Sequence, residues 1–475
     1  MPSSRLIVSQ MLTWTYVQIV YQMIMNDGRG LFLPGGLSGE SLRIMSNIIF
    51  LSLSGAAGMA FFALYYRRIP AAIKRSSIIC AVLIACLGQI LMELFPTEAM
   101  MAVGLLLSML GWGYLMAYIL YRAALEVSDA YFGRFIGISL GFGSILTFII
   151  GAADAVFTDM LASRILAIPG LITLALIKPA DEYLAIRQPP SPIWHSFFQK
   201  SHTYLVISAI IMGIMLGLCD SISVFHFSEY LPSFPSSRLF YAGGLFLFGW
   251  LADKKFSVMP AIVLIVSIYF LWYRIFSTEP GLFLLSAMLV EAIYSSPIIV
   301  LLMTAFLHIA AHSDNPEKWA AMSRIIELPA LSLGLLLGFI FFQYVYLPIS
   351  ITVYTVMLLI SVALLYKISI LYMHSLAEHN TEKSSEPVTE LKQPEEQPDE
   401  QDRYIRYCEH YNLTEREADV LQELLKGHKI SAIAENLFIS ERTVRFHITN
   451  LLNKTGQDSQ LSMVSDYYRN INNVT

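Results

Sequence analysis

Charged side chains are scarce: 14% of the 475 residues, against 56% that are hydrophobic. Typical soluble domains carry about 25% charged residues, so most of this chain is excluded from that class, and its mean hydropathy of +0.58 points to lipid. Cysteine is sparse too. Cys80, Cys86, Cys219 and Cys408 form no Cys-x-x-Cys pair and no zinc-like spacing, which argues against a disulfide scaffold or a structural metal. No nucleophile and base motif, phosphate-binding glycine loop or metal-ligand cluster is present, so no enzyme, cofactor or metal is expected. Residues 1–10 hold one arginine and no small-residue cleavage site, and are expected to be part of a retained anchor rather than a signal peptide. Residues 374–475 lack something different: any apolar stretch near the roughly 20 residues a bilayer span needs.

What is present in the first 373 residues is a series of apolar stretches, at 6–25, 44–65, 78–95, 101–121, 132–156, 161–177, 205–225, 240–251, 260–272, 282–307, 321–344 and 349–372, which predicts twelve membrane helices. Basic residues resist translocation and so orient them. Arg67, Arg68, Lys74, Arg75, Arg122, Arg134, Lys178, Arg187, Lys200, Lys254, Lys255, Lys318 and Arg324 follow even spans; only Arg29, Arg43, Arg164, Arg238 and Arg274 fall on the other side. Both termini are therefore expected in the cytoplasm of a bacterial inner membrane.

Twelve spans with a longer central segment, 178–202, resemble the major facilitator architecture of two six-helix halves. Gly249-Trp250-Leu251-Ala252-Asp253-Lys254-Lys255, after the eighth span, resembles that family's Gly-x-x-x-Asp-basic loop, in which the aspartate caps and pairs across a cytoplasmic gate. The loop after the second span keeps the positive charge without the Gly and Asp. In facilitator-like folds spans one, four, seven and ten line the cavity, so the resemblance implies a chamber containing Trp14, Gln18, Trp112, Tyr118, Asp220, Glu291 and Tyr294, with an unidentified small molecule as ligand. Intramembrane carboxylates tend to mark such sites; Glu327 instead has Arg324 three residues earlier and reads as a local pair.

From 374 to 402 the chain is acidic and proline-bearing, a composition that cannot bury enough surface to order itself. It reads as a flexible tether of roughly 30 Å. Beyond it, at 403–475, nine Lys and Arg balance nine Asp and Glu. Thr414-Glu415-Arg416-Glu417 is a capping box, and Val420, Leu421 and Leu424 give the helix it opens one apolar stripe, ended by Gly427. Ile430, Ile433, Ala434 and Leu437 mark a second helix, and Ser440 caps a third. There Val444, Ile448 and Leu451 share a face, so Arg442, Arg445, Phe446, Thr449 and Asn453 point the other way, a pattern suited to a DNA major groove. His447 borders the packed side and reads as a core hydrogen-bonding group. A fourth helix over 458–471 carries Leu461, Val464 and Tyr468 as a seam for pairing two heads.

Leu413-Thr414-x-Arg416-Glu417, Gly427, Ile433-Ala434, Leu437, Ile439-Ser440, Thr443-Val444-Arg445, His447, Asn450-Leu451, Lys454 and Gly456 resemble the LuxR-type helix-turn-helix domain. The resemblance implies double-stranded DNA as partner, bound by Arg442, Thr443, Arg445, Phe446, Thr449 and Lys454, with Lys454 near the backbone, and homodimers formed through the last helix. The expected fold is all-α: a twelve-helix facilitator-like membrane domain at 1–373 joined to a four-helix LuxR-type domain at 403–475. The expected function is a one-component transcriptional regulator in which the membrane domain senses a small molecule; the alternative is a facilitator-type transporter with an appended autoregulatory DNA-binding domain.

Overall fold

The computed structural model describes residues 4–26, 40–95, 97–157, 192–227, 237–276, 294–313, 315–344, 352–353, 355–361, 363–368, 370–371, 400–425, 430–457, 463 and 466–467. Among these no strand occurs, and the chain divides into two units, Met1–Lys383 and Ser384–Thr475.

In the first unit, lipid-facing backbone must satisfy its own hydrogen bonds, so the apolar runs are helical. They are α1 (Ser4–Asn26), α2 (Glu40–Tyr65), α3 (Ala71–Leu94), α4 (Glu98–Glu126), α5 (Phe132–Phe157), α6 (Pro192–Phe227), α7 (Ser237–Lys254), α8 (Met259–Phe276), α9 (Ser296–His312), the short α10 (Pro316–Trp319) and α11 (Met322–Tyr344). The described residues between 352 and 371 are helical as well. Five stretches among the described residues are long and apolar enough to cross a membrane: Ile44–Arg68, Ala72–Met92, Glu98–Glu126, Asp129–Ala152 and Pro316–Ile340. The expected span at 161–177 and residues 282–293 of the tenth lie outside the described residues.

The central segment departs from expectation. Helix α6 starts at Pro192, well inside the 178–202 stretch read as a loop, and runs for 36 residues. At 1.5 Å per residue that is about 54 Å, well beyond a hydrocarbon core of about 30 Å. The polar residues preceding the apolar run therefore continue the helix beyond the lipid instead of breaking it.

Two seams join the halves. In one, α5 packs on α7. A Cβ at Gly249 would lie 2.6 Å from the Gly133 carbonyl oxygen and 2.8 Å from the Gly137 Cα, so only glycine lets these backbones touch. That approach carries Asp253, one turn on, over the start of α5, where its carboxylate accepts from the Gly133 amide (2.6 Å), the Arg134 amide (3.0 Å) and Arg134 Nε (2.8 Å). A buried carboxylate there satisfies orphan N–H groups and opposes the positive end of the helix dipole. In the other seam α11, which also packs on α6 of its own half, meets α2. Two further contacts bridge the halves at the same end of the bundle: His312 Nε2 meets Asp129 at 3.0 Å, and Arg67 donates to Asn315 and lies 3.9 Å from Glu317. His312 Nδ1 also meets the His308 carbonyl at 2.8 Å. Both ring nitrogens thus face oxygen acceptors.

The second unit holds α12 (Glu400–His410), α13 (Glu415–Leu425), α14 (Ile430–Asn436) and α15 (Glu441–Thr455), and Met463, Asp466 and Tyr467 are helical. Its core is Tyr407, Val420, Leu421, Ile433, Ala434, Val444, Ile448, Leu451, Met463 and Tyr467. Helix α12 corrects the sequence reading: its first residues, Glu400 to Asp402, lie in the stretch assigned to the tether, and it adds a helix to the four expected. It forms because Tyr404, Tyr407, Cys408 and Tyr411 recur at helical spacing and bury one side. The remainder of the tether, 374–399, lies outside the described residues.

Candidate functional site

The head is built outward from its caps. The Thr414 amide donates to Glu417 Oε2 at 2.9 Å and the Glu417 amide to Thr414 Oγ1 at 3.4 Å, the reciprocal pair that opens α13. Lys454, expected near the DNA backbone, is turned into this cap: its ammonium donates to Glu417 Oε2 at 2.7 Å and to the Asn412 carbonyl at 2.8 Å. The same cation thus ties the end of α15 to the start of α13. Burial alone would raise the Glu417 pKa, but Lys454 and the Thr414 donors outweigh it and hold the carboxyl below its ordinary range. On the far side of the core, Tyr407 and Tyr411 both donate to Asp466 Oδ2 at 3.1 Å. Burial, reinforced by that carboxylate, pushes the Tyr407 phenol far above its usual value.

Between α14 and α15 the chain turns through Phe438, whose φ of 53° is left-handed, and its side chain is 95% exposed. A bulky residue is strained there. The turn sets the angle between the two helices, and Ser440 then caps α15 by accepting from the Thr443 amide at 3.1 Å. The helix ends where Gly456 takes φ 68°, the left-handed geometry glycine tolerates. Gly427, expected to end the first of the pair, lies outside the described residues, as do Leu461, Val464 and Tyr468 of the expected pairing seam.

Helix α15 has the two faces expected. Val444, Ile448 and Leu451 are buried; Arg442, Arg445, Phe446, Thr449 and Asn453 are exposed. Arg445 is held by Glu441 at 3.0 Å, and the Thr449 hydroxyl donates to the Arg445 carbonyl at 2.9 Å. Exposed pairs of this kind contribute little, about 0.3–0.5 kcal/mol, so Arg445 is released from Glu441 easily. Thr443 hydrogen-bonds Ser440 through its hydroxyl as well as its amide. His447 is half-buried and edge-on to Phe446, with ring centres 5.8 Å apart, and among the described residues its contact is with that ring rather than a core hydrogen bond.

In the membrane unit six of the seven expected chamber residues fall among the described residues. Trp112 is buried and stacks on Tyr16 at 4.3 Å, inside the first half. Tyr118 is buried and its hydroxyl accepts from Arg122 at 2.9 Å. Tyr294 is buried just before α9; Gln18 and Asp220 are half-buried on α1 and α6; Glu291 lies outside the described residues. Trp14 is buried, donates through Nε1 to Ser144 Oγ at 3.2 Å, and lies under the guanidinium of Arg324, 5.3 Å from ring centre to Cζ. Arg324 in turn bonds Glu327, the local pair the spacing predicted.

Residues 411–465 match the family model described as bacterial regulatory proteins, luxR family. The spore germination protein GerE of Bacillus subtilis (strain 168) is 40% identical over 57 residues, 12% of this chain and 77% of that protein. The chain belongs to the luxR family of bacterial regulatory proteins. The nitrate/nitrite response regulator protein NarP of Escherichia coli (strain K12) is 52% identical over 50 residues, 10% of this chain and 23% of that protein. An uncharacterized transcriptional regulatory protein of B. subtilis (strain 168), YhcZ, is 53% identical over 45 residues, 10% of this chain. The match spans only 21% of YhcZ. Solved structures resemble the other unit of this luxR family member. The human organic anion transporter MFSD10 (TETRAN) superposes with a TM-score of 0.53 at 10% identity, covering 76% of this chain and 97% of that one. The major facilitator superfamily proton:xylose symporter XylE gives 0.50 at 13%, covering 77% and 96%. The likeness shows a major facilitator fold, and with it the two-half arrangement.

Proposed function

We propose that this protein is a one-component transcriptional regulator set in the bacterial inner membrane, with its head in the cytoplasm. A small molecule bound between the two halves shifts the membrane unit between arrangements and thereby changes how heads pair on an operator through their last helix. One observation carries the reading: a luxR-type recognition helix with a cleanly exposed polar face stands in the same chain as a facilitator-fold unit whose halves are clasped by Asp253, His312 and Arg67. A facilitator fold rocks between states, and a DNA-binding head gives those states a readout. No catalytic step is assigned to any residue.

Asp253 also favours a second reading. Its contacts with Gly133 and Arg134 are of the kind a transport gate uses, as a transporter with an appended autoregulatory head would need. A promoter reporter measured beside solute uptake, in cells carrying the full chain or the head at 400–475 alone, separates the two. Solute-dependent transcription from the full chain and constant transcription from the head supports the regulator. Solute uptake with transcription that ignores the solute supports the transporter. A reporter fused after residue 372 is expected to be cytoplasmic and one near Pro232 external; an external reporter after 372 contradicts the proposed orientation.

A further inference from the structure

We infer that the buried guanidinium of Arg324 is a receptor for a small organic monocarboxylate, bound at the seam between the two halves of the membrane unit. The inference supplies a ligand class for the regulator reading and rests on that reading for its effect on transcription.

Arg324 lies near the start of α11 and is 7% exposed; Glu327, one turn on, is 1% exposed. Both of its hydrogen bonds to Glu327, each 2.9 Å, leave from Nη1. One face of the guanidinium is covered by Trp14, which is held in place by Ser144. Nε, on another edge, is buried and has no hydrogen-bond partner among the described residues. An unpaired donor on a buried cation is costly, and the edge that includes Nε is the one that pairs a carboxylate in parallel hydrogen bonds. Lysine, with its point charge, cannot reproduce that fork.

Charge narrows the class. Glu327 already balances Arg324, so a bound monoanion leaves the site with one net negative charge and a dianion leaves two, in surroundings that penalise each. The indole of Trp14 offers a flat apolar surface to the organic part. Trp14 comes from the first half; Arg324 and Glu327 come from the second. Rocking the halves moves the indole relative to the guanidinium, so an anion on this edge binds the two arrangements unequally, which is what a ligand must do to shift them. Sequence spacing found the Arg324 and Glu327 pair but not the indole from the other half that turns it into a seam.

The test uses the full chain in phospholipid nanodiscs, with acetate, benzoate, inorganic phosphate and tetramethylammonium titrated at matched ionic strength while thermal unfolding and tryptophan fluorescence are followed. Saturable stabilisation by acetate or benzoate, absent with phosphate and the cation, is expected. Arg324→Lys should weaken it about ten- to a hundredfold. Should that variant fail to fold, Trp14→Phe, which keeps an aromatic ring but loses the bond to Ser144, should weaken it in the same direction. Binding unchanged in whichever of these variants folds, stronger binding of phosphate, or no binding of either carboxylate overturns the inference. Arg324-dependent carboxylate binding that leaves a promoter reporter unmoved would uphold the site and count against the regulator reading instead.

Discussion

The two units handle polar groups in opposite ways. The head places its cations and amides on the outside of α15, where Arg442, Arg445 and Thr449 meet solvent, and keeps a core that is almost wholly apolar apart from Glu417, Glu423 and Thr455. The membrane unit does the reverse: Leu83, Ile84, Leu87 and Ile90 face outward, while Gln10, Gln89, Arg324 and Glu327 are buried. On the proposed reading, the difference sets where specificity resides in each. In the head it would be read at an exposed helix face, local and written in consecutive residues. In the membrane unit it would be assembled from side chains on different helices and depend on packing between them.

The contrast can be broken most severely in the head's core. Leu451→Ala removes a fully buried side chain and should cost about 2–5 kcal/mol of head stability. Thermal unfolding should then show the head melting early while the membrane unit is unchanged; coincident loss of both would show that the units are not independent. Next in size is Asp253→Ala. Losing three hydrogen bonds to a carboxylate at the start of α5 should cost the clasped arrangement about 1–3 kcal/mol, read as faster labelling of a cysteine placed at Ala252, which is buried beside Gly133 in that seam.

Arg445→Ala sharpens the comparison from the other side. If it pairs with a base it should weaken operator binding by about 1–3 kcal/mol and leave random duplex almost untouched; equal loss on both would assign it to the backbone. The smallest effect concerns the cap. Because the folded-state pKa of Glu417 is depressed, its contribution is present above the unfolded carboxylate value, about 4.3, and is lost as pH falls through the folded value. Glu417→Gln should therefore lower head stability by about 1 kcal/mol at neutral pH and converge with the wild type in acid, measured as urea midpoints against pH. A constant gap across that range would count against the ion pair with Lys454.

Much of the head was legible because its signals are local. Thr414 with Glu417, Ser440 and the spacing of Val444, Ile448 and Leu451 each act within a turn or two of helix, and each is found as read. Helix α12 was missed although its aromatic spacing was present, because acidic composition just before it masked the start. The bond from Lys454 to Glu417 was not legible, because nothing in the sequence shows that residues 37 positions apart meet. The facilitator architecture followed from hydropathy and the Gly249 to Asp253 loop. The contacts inside the bundle did not: Trp112 stacks on Tyr16, and Trp14 lies under Arg324, through packing that no local spacing encodes.

The central claim is that the state of the membrane unit controls the head. It is tested most directly by combining Asp253→Ala with Asp129→Asn, which loosens the clasp between the halves without altering any residue of the head, and measuring promoter output and operator occupancy at equal protein abundance. The account predicts output shifted from the wild type, while the head at 400–475 alone is unaffected by solutes. Output identical in the wild type, the loosened variant and the free head would contradict it.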